Sequence, residues 1–484
     1  MTDQLHRTTF RTSREMDFFS AKELVTQTGH AVREWPLVIT KELISNGLDA
    51  CEEAGVTPVI AVVADSAGIS VSDNGPGLPE STLQAQLDFK IRASNREAYV
   101  SPCRGSQGNA LKSLIAMPNV IDQKNGKVIV EANGKRHVIT CGVDQISQRP
   151  VIDDAVADLR KSKNRASRAG TKKQAFSGTT IRLEWTPTKA DTWPFDGLDL
   201  RETCHSNFPA DFRHIVEAFA MFNPHATITL DWFGTITTWQ ATAKAWKKWL
   251  PTDPTSALWY ELPHFERLIG AYITHDREHK TDRLISDFVM EFDGLSGSAK
   301  RTKVLDTAGL KRAKLSDLVV GDRLDSDRIA ALLSAMQSCS RPVKSQRLGI
   351  IGEEHFRQRL LDMGCLPESF RYSRRLEKVK NAASQSGEKA SFLPWVLESA
   401  FGYLGSEAPN ARTFFAGANW SAAIKNPFRS FGTTSEGLEA ELNRLHVGAN
   451  EPIIYVLHLA HPRVEYTDRG KSALIIGKDE ENAA

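Results

Sequence analysis

The sequence predicts an α+β fold, in which hairpins and helices share a chain without a repeated strand–helix–strand wind. Three observations carry this. Short apolar strands come in hairpin pairs over residues 59–143. A run with helical apolar spacing, "PADFRHIVEAFAMF" (209–222), separates later strands. From about 250 to 340 the strand patterns give way to short helical ones, and strands return afterwards. Hairpins mixed with helices belong to the α+β class.

Taken in order, "KELISNGLDACEEAG" (41–55) reads as an amphipathic helix. "VIAVVA" (59–64) and "GISVSD" (68–73) form a first hairpin, and "KVIVEAN" and "KRHVITCGV" a second, turned at Asn133-Gly134. "GTTIRLEW" (178–185) and "HATITLDWF" (225–233) are further strands. "ERLIGAYI", "RLISDFVMEF", "AKRTKVLDTAGL", "LSDLVV" and "SDRIAALLSAMQ" read as short helices of a small all-helical insert. "FLPWVLESAFGYLG" (392–405) and "PIIYVLHLAHPRVEY" (452–466) are strands, "GLEAELNRL" (437–445) is a helix, and "KNAASQSGEKAS" (380–391) is linker-like. No internal repeat is found.

The 484 residues, 41% hydrophobic and 25% charged, suit about two to four globular domains. No apolar run reaches transmembrane length, and the N-terminus lacks the apolar core of a secretory signal, so a cytoplasmic location is expected. Six scattered cysteines without a CxxC pair read as reduced thiols rather than a disulfide frame or zinc site. A net charge of +2 confines any nucleic-acid binding to local patches. One such patch, "LRKSKNRASRAGTKKQ" (159–174), carries Lys161, Lys163, Arg165, Arg168, Lys172 and Lys173 with no acid. It reads either as a solvated loop or as a contact to a DNA backbone.

Four stretches carry chemistry. Glu42 and Asn46 stack four apart on one helix face, and Asp49 continues that stripe. "DNGPGLP" places Asp73 at a strand end before Gly75 and Gly77, where a carboxylate can accept from an exocyclic amine and glycines admit close backbone approach. "RGSQGNALKSL" (104–114) sets Gly105 and Gly108 before a helix start, an arrangement that offers free N–H groups to phosphates, with Lys112 as added charge. It is not a Walker A loop. "SGTTI" places Thr179 just before a strand.

In the order E-x-x-x-N-x-x-D-A, D-x-G-x-G, G-x-x-G-x-A-L and G-T, these stretches resemble the ATP site of the gyrase, heat-shock chaperone, histidine-kinase and MutL superfamily, the Bergerat fold. The resemblance implies ATP and Mg²⁺ as ligands. It makes Glu42 the general base, Asn46 the magnesium ligand, Asp49 a support of the pocket and Asp73 the reader of the adenine amine. Gly75 and Gly77 would line the base. Gly105, Ser106, Gln107, Gly108, Asn109, Ala110, Leu111 and Lys112 would form the lid and phosphate cradle, with Thr179 bonding near the adenine.

"ELISNGLDACEEAG", "VSDNGPGLPE" and "FNPHATITL" look most like the B subunit of DNA topoisomerase VI. "RPVKSQRLGIIGEEHF", "TFFAGANW" and "VLHLAHPRVEYTDRGKSALI" resemble its transducer in order. The resemblance implies a Bergerat ATPase domain (an α/β sandwich) over 1–235 that includes an N-terminal dimerisation segment. A helix-two-turns-helix-like domain over 236–338 follows, then a transducer-like domain of the ribosomal S5 domain 2 type over 339–484. In that family a transducer lysine reaches the γ-phosphate; Lys471 in "TDRGKSAL" is the candidate, or is an exposed loop lysine. The family's long stalk helix is not expected after it. The implied function is an ATP-driven homodimeric clamp on duplex DNA, working with a separate cleaving partner like the A subunit, since no cleavage chemistry is seen here. The alternative is an ATP-gated clamp or sensor in another DNA-processing or anti-phage defence complex. A kinase use is disfavoured, because no phosphoacceptor-histidine helix precedes the ATP motifs.

Overall fold

The computed structural model describes residues 14–90, 98–104, 110–144, 146–147, 149–159, 178–186, 212–380, 392–431, 437–445, 447–467, 471 and 473–475. After a short 3₁₀ turn, helix α1 (Ala21–Thr28) begins on Ser20, whose hydroxyl accepts from Glu23 N, and ends on left-handed Gly29. These are a standard N-cap and C-cap. Helix α2 (Trp35–Glu53) follows with Pro36 in its first turn, where a missing N–H costs nothing. It is buried almost all round, Lys41, Asp49 and Glu52 included: only Glu42, Asn46, Ala50 and Glu53 escape.

Strands β1 (Val59–Asp65) and β2 (Gly68–Ser72) form the first hairpin. Helices α3 (Glu80–Leu87) and α4 (Ala110–Ile121) precede β3 (Lys127–Ala132), β4 (Lys135–Asp144), β5 (Arg149–Asp158) and β6 (Thr179–Glu184). Asn133 and Gly134 both take positive φ, 52° and 78°, which a type I′ turn requires. Helix α5 (Phe212–Phe222), then β7 (Thr227–Trp232) and β8 (Thr235–Trp239), complete an eight-stranded sheet of order β5-β4-β3-β6-β2-β1-β7-β8. Only β1 and β7 pair in parallel; every other pairing in the sheet is antiparallel. Helices α2, α4 and α5 pack on the sheet, and β1 turns Ile60, Val62 and Ala64 into that layer by simple alternation. The sheet continues through β8, past residue 235.

The next segment is helical: α6 (Leu262–Glu278), α7 (Ile285–Met290), α8 (Ser298–Thr307) and α9 (Ser326–Cys339). It is not purely so. "LSDLVV" is a four-residue 3₁₀ turn, Leu315–Leu318, that runs into β9 (Val319–Val320), which pairs with β10 (Arg323–Leu324) across Gly321 at φ 62°. Four residues are too few for a stable α-helix, and the glycine turns the chain back into a bridge.

Helix α10 (Glu353–Asp362), β11 (Arg371–Lys380), β12 (Phe392–Tyr403), β13 (Thr413–Ala418), β14 (Ser421–Ala422), α11 (Gly437–Arg444) and β15 (Ile453–Ala460) build a second sheet of order β11-β12-β15-β13-β14. The linker-like stretch lies outside the described residues, apart from Lys380. One apolar core runs from Phe18 to Ala460 through both sheets and the helical segment, with Trp35, Trp249, Trp259 and Trp420 wholly buried. A smaller cluster, including Phe428, Leu438 and Leu474, sits under α11. The fold is α+β, as expected. Among the described residues, Cys51, Cys103, Cys141, Cys339 and Cys365 are free thiols, and no helix is long and apolar enough to cross a membrane.

Candidate functional site

Helix α2 is the base of the site. Its non-buried positions 42, 46, 50 and 53 form one stripe at helical spacing. The side chains of half-buried Glu42 and exposed Asn46 make no hydrogen bond with any described residue. Asp49 is not on this stripe, contrary to the simple spacing argument. Three residues from Asn46 fall about 60° short of a full turn, at the edge of the stripe, and there Asp49 is covered by Arg104 and only 2% exposed.

That arginine is the centre of a buried polar cluster. Its Nη1 donates to Asp49 Oδ1 at 2.7 Å and Glu52 Oε2 at 2.8 Å, and its Nη2 to Glu52 Oε1 at 2.8 Å and to Asn223 Oδ1. Its Nε meets the Trp420 carbonyl at 3.3 Å, in the turn between β13 and β14. Lys248 and His225 also reach Glu52, at 2.7 and 2.9 Å. Burial pushes the Glu52 carboxyl up, but Arg104 and Lys248 overrule it and hold the group well below the usual range. Arg104 stands directly before the expected glycine lid, so one side chain ties the lid's start to α2, to α5's end and to the second sheet. Nothing local in the sequence marks it, because its partners lie at 49, 52, 223 and 420.

The second element is the turn after β2. Asp73 N donates to Thr179 O at 2.9 Å, and Asp73 Oδ1 accepts from Gly75 N at 2.8 Å and Thr179 N at 3.3 Å. Two N–H groups therefore lock one carboxylate oxygen, while Oδ2 has no partner among the described residues. Burial raises the Asp73 pKa against the pull of those two N–H groups. Thr179 Oγ1 accepts from Leu78 N at 2.9 Å, and Gly77 lies against the Asn133 side chain. Asp73, Gly75, Gly77 and Thr179, named from the sequence, thus share one small region.

Two further glycines make this possible: Gly178 of the G-T element, and Gly47, not named from the sequence. A Cβ on Gly178, at φ 136°, would stand 1.9 Å from the Asp73 carbonyl oxygen. A Cβ on Gly47 would stand 3.1 Å from both Asp73 Cβ and Ile60 Cδ1, so this mid-helix glycine lets α2 approach the carboxylate. A glycine inside a helix costs about 1 kcal/mol against alanine, which is the signal that could have flagged it.

Residues Gly105, Ser106, Gln107, Gly108 and Asn109 lie outside the described residues, as do Lys161, Lys163, Arg165, Arg168, Lys172 and Lys173. Ala110 and Leu111 are half-buried at the start of α4. Lys112 comes soon after residues 105–109 in the sequence, and among the described residues it meets the end of α3. Its buried ammonium donates to the carbonyls of Ala85, at 3.3 Å, and Asp88, near the Phe89 ring, and so satisfies the end of α3.

Lys471 is half-buried at φ 54° and lines a cavity of about 520 Å³ with Lys41, Arg104 and Asn419. Burial lowers the Lys41 pKa to about 8, with help from the Lys471 charge and against that of Glu42. The second half of the chain is thereby brought to α2 within charge-repulsion range of the residue next to Glu42.

No family model matches the chain. The B subunit of type 2 DNA topoisomerase 6 from Archaeoglobus fulgidus is 24% identical over 454 residues, which cover 90% of this chain and 66% of that protein. The chain is similar to the B subunit of topoisomerase VI. The corresponding protein of Pyrococcus horikoshii is 32% identical over 102 residues, 20% of this chain and 18% of that protein. The chain therefore spans less than two thirds of the length of these topoisomerase VI relatives. Among solved structures, the ATPase region of Saccharomyces cerevisiae topoisomerase II aligns with 93% of this chain and 79% of that one, at TM-score 0.39 and 10% identity.

Proposed function

We propose that this chain binds and hydrolyses ATP as the ATPase subunit of a topoisomerase VI-like clamp. The observation that carries the reading is the Asp73 carboxylate: buried, locked through one oxygen by two backbone N–H groups, with its other oxygen unpartnered among the described residues and close to Gly47 of α2. A carboxylate so held suits the exocyclic amine of adenine. The likeness to the topoisomerase VI B subunit supports the same reading.

Residues fit a nucleotide with its magnesium. Asn46, exposed and with no side-chain hydrogen bond to any described residue, would hold the ion through its amide oxygen. Magnesium would neutralise phosphate charge. Glu42 orients the attacking water and takes up its proton. The water oxygen bonds the γ-phosphorus as the bond to the β–γ bridging oxygen breaks, and that oxygen leaves with ADP. The chain's work is positioning and electrostatics, as in phosphoryl transfer generally. Lys471 approaches from the segment after β15 and contacts the γ-phosphate by a charge-assisted bond that exists only before cleavage. The subunit pairs with a second copy, acts on duplex DNA and works in the cytoplasm with a separate DNA-cleaving protein.

Calorimetric titration of the folded protein with Mg-ADP tests the reading. Saturable binding that Asp73→Ala weakens is expected; no heat from folded material would overturn it. A DNA relaxation assay with a cleaving A-type partner tests the topoisomerase role, and no relaxation by the reconstituted pair would count against it.

A further inference from the structure

The cavity of about 520 Å³ is walled by all three parts of the chain. Lys41 comes from α2, His264 and Arg267 from α6, and Arg463 and Lys471 from the segment after β15. Its lining is strongly cationic. The one acid on it is Glu465, exposed and 3.7 Å from Arg463.

Lys41 is 6% exposed, and its ammonium has neither a hydrogen bond nor an ion pair with any described residue. Lys471 presses a second positive charge toward it, and only Glu42 opposes them. His264 Nδ1 is buried and unpartnered among the described residues at the same cavity, in a ring kept neutral by burial and by Arg463 and Arg267. Like charges brought together out of water are costly unless an anion joins them. Helix geometry places the Lys41 side chain about 100° round α2 from Glu42, and Glu42 is not on the lining. The cavity therefore opens behind the face that carries Glu42 and Asn46.

We propose that this cavity is a binding site for inorganic phosphate, where the cleaved γ-phosphate rests before leaving. The source of the anion rests on the ATPase reading; the anion chemistry rests on the lining alone. Hydrolysis produces a free oxyanion next to Glu42, and the cations of Lys41 and Arg267 receive it, joined by Lys471 once its bond to the γ-phosphate has been broken.

Potassium phosphate is titrated calorimetrically into the full chain, alone and saturated with a non-hydrolysable ATP analogue. Lys41→Met and Arg267→Ala are measured beside it; Arg267 is exposed, so its removal leaves packing intact. Saturable phosphate binding that persists with the analogue bound, and is weakened about tenfold by either substitution, is expected. Absence of saturable binding, or unchanged affinity in both variants, overturns the site. Loss of phosphate binding when the analogue is present also overturns it, because the anion would then occupy the γ-phosphate's own position. A parallel Mg-ADP titration separates the two readings. If phosphate binds and Mg-ADP does not, the ATPase reading and the exit role fall; if Mg-ADP binds and phosphate does not, the cavity proposal alone falls.

Discussion

Glu42 is the only carboxylate among the four non-buried positions of α2 that also neighbours both Lys41 and the Asn46 amide. Replacing it with alanine should leave Mg-ADP binding near wild type and reduce ATP turnover at least about 100-fold, the usual worth of a positioned base. Phosphate-release kinetics check this, and undiminished hydrolysis would remove Glu42 from that role. Lys41 yields a pH prediction. Folded, it titrates near 8; unfolded, near 10.5. Between those values the unfolded chain holds a proton that the folded chain has lost, so stability rises with pH across the window. Lys41→Met removes the buried charge. Its advantage over wild type, a few kcal/mol at most, should be full below pH 8 and fade toward 10.5. Denaturant midpoints at neutral and alkaline pH measure it; an equal advantage at both would contradict the assignment. Asp73, Gly75 and Thr179 were legible as residues because an acid at a strand end followed by glycines is a local pattern. Arg104 was not, since a buried arginine and an exposed one look alike until their partners arrive.

Among the elements, α2 shows where spacing arguments end. Periodicity located the helix, but could not say which polar residues stay exposed. Asn46 does; Asp49, three residues on, is rotated into the Arg104 cluster. The same limit explains Lys112, whose helix was expected but whose ammonium is taken by the carbonyls at the end of α3. The turn after β2, where it meets the start of β6, is equally dependent on close approach. Gly178→Ala forces a methyl into the Asp73 carbonyl, so it should destabilise the protein by about 2 kcal/mol or more and weaken Mg-ADP binding together with it. Urea unfolding and calorimetry on the same preparation decide the matter; wild-type stability would show that the turn moves freely. "LSDLVV" is a plainer case: its composition suits a helix, but it is too short to nucleate one, and the β9–β10 bridge wins.

For the whole molecule, one apolar core spans both sheets and the helical segment, so a change at α2 can reach the second sheet without a linker between them. The clamp reading makes a mass prediction. With a non-hydrolysable ATP analogue and magnesium, light scattering should report a doubling of mass. Shifting the population from 1:99 to 99:1 asks about 5.5 kcal/mol of differential binding; Lys471→Ala should reduce the paired fraction, and an unchanged monomer with wild type would refute the clamp. By itself the sequence determined the α+β class, the paired strands, the helix carrying Glu42 and Asn46, and the glycine turn around Asp73. All of these are encoded by periodicity and turn chemistry within some twenty residues. Only the tertiary structure decided that Arg104 joins α2 to Trp420, that Gly47 and Gly178 admit the carboxylate, and that Lys41 and Lys471 meet in one cavity. Those contacts join residues tens to hundreds of positions apart, and the burial that selects them exists only once the whole core has closed.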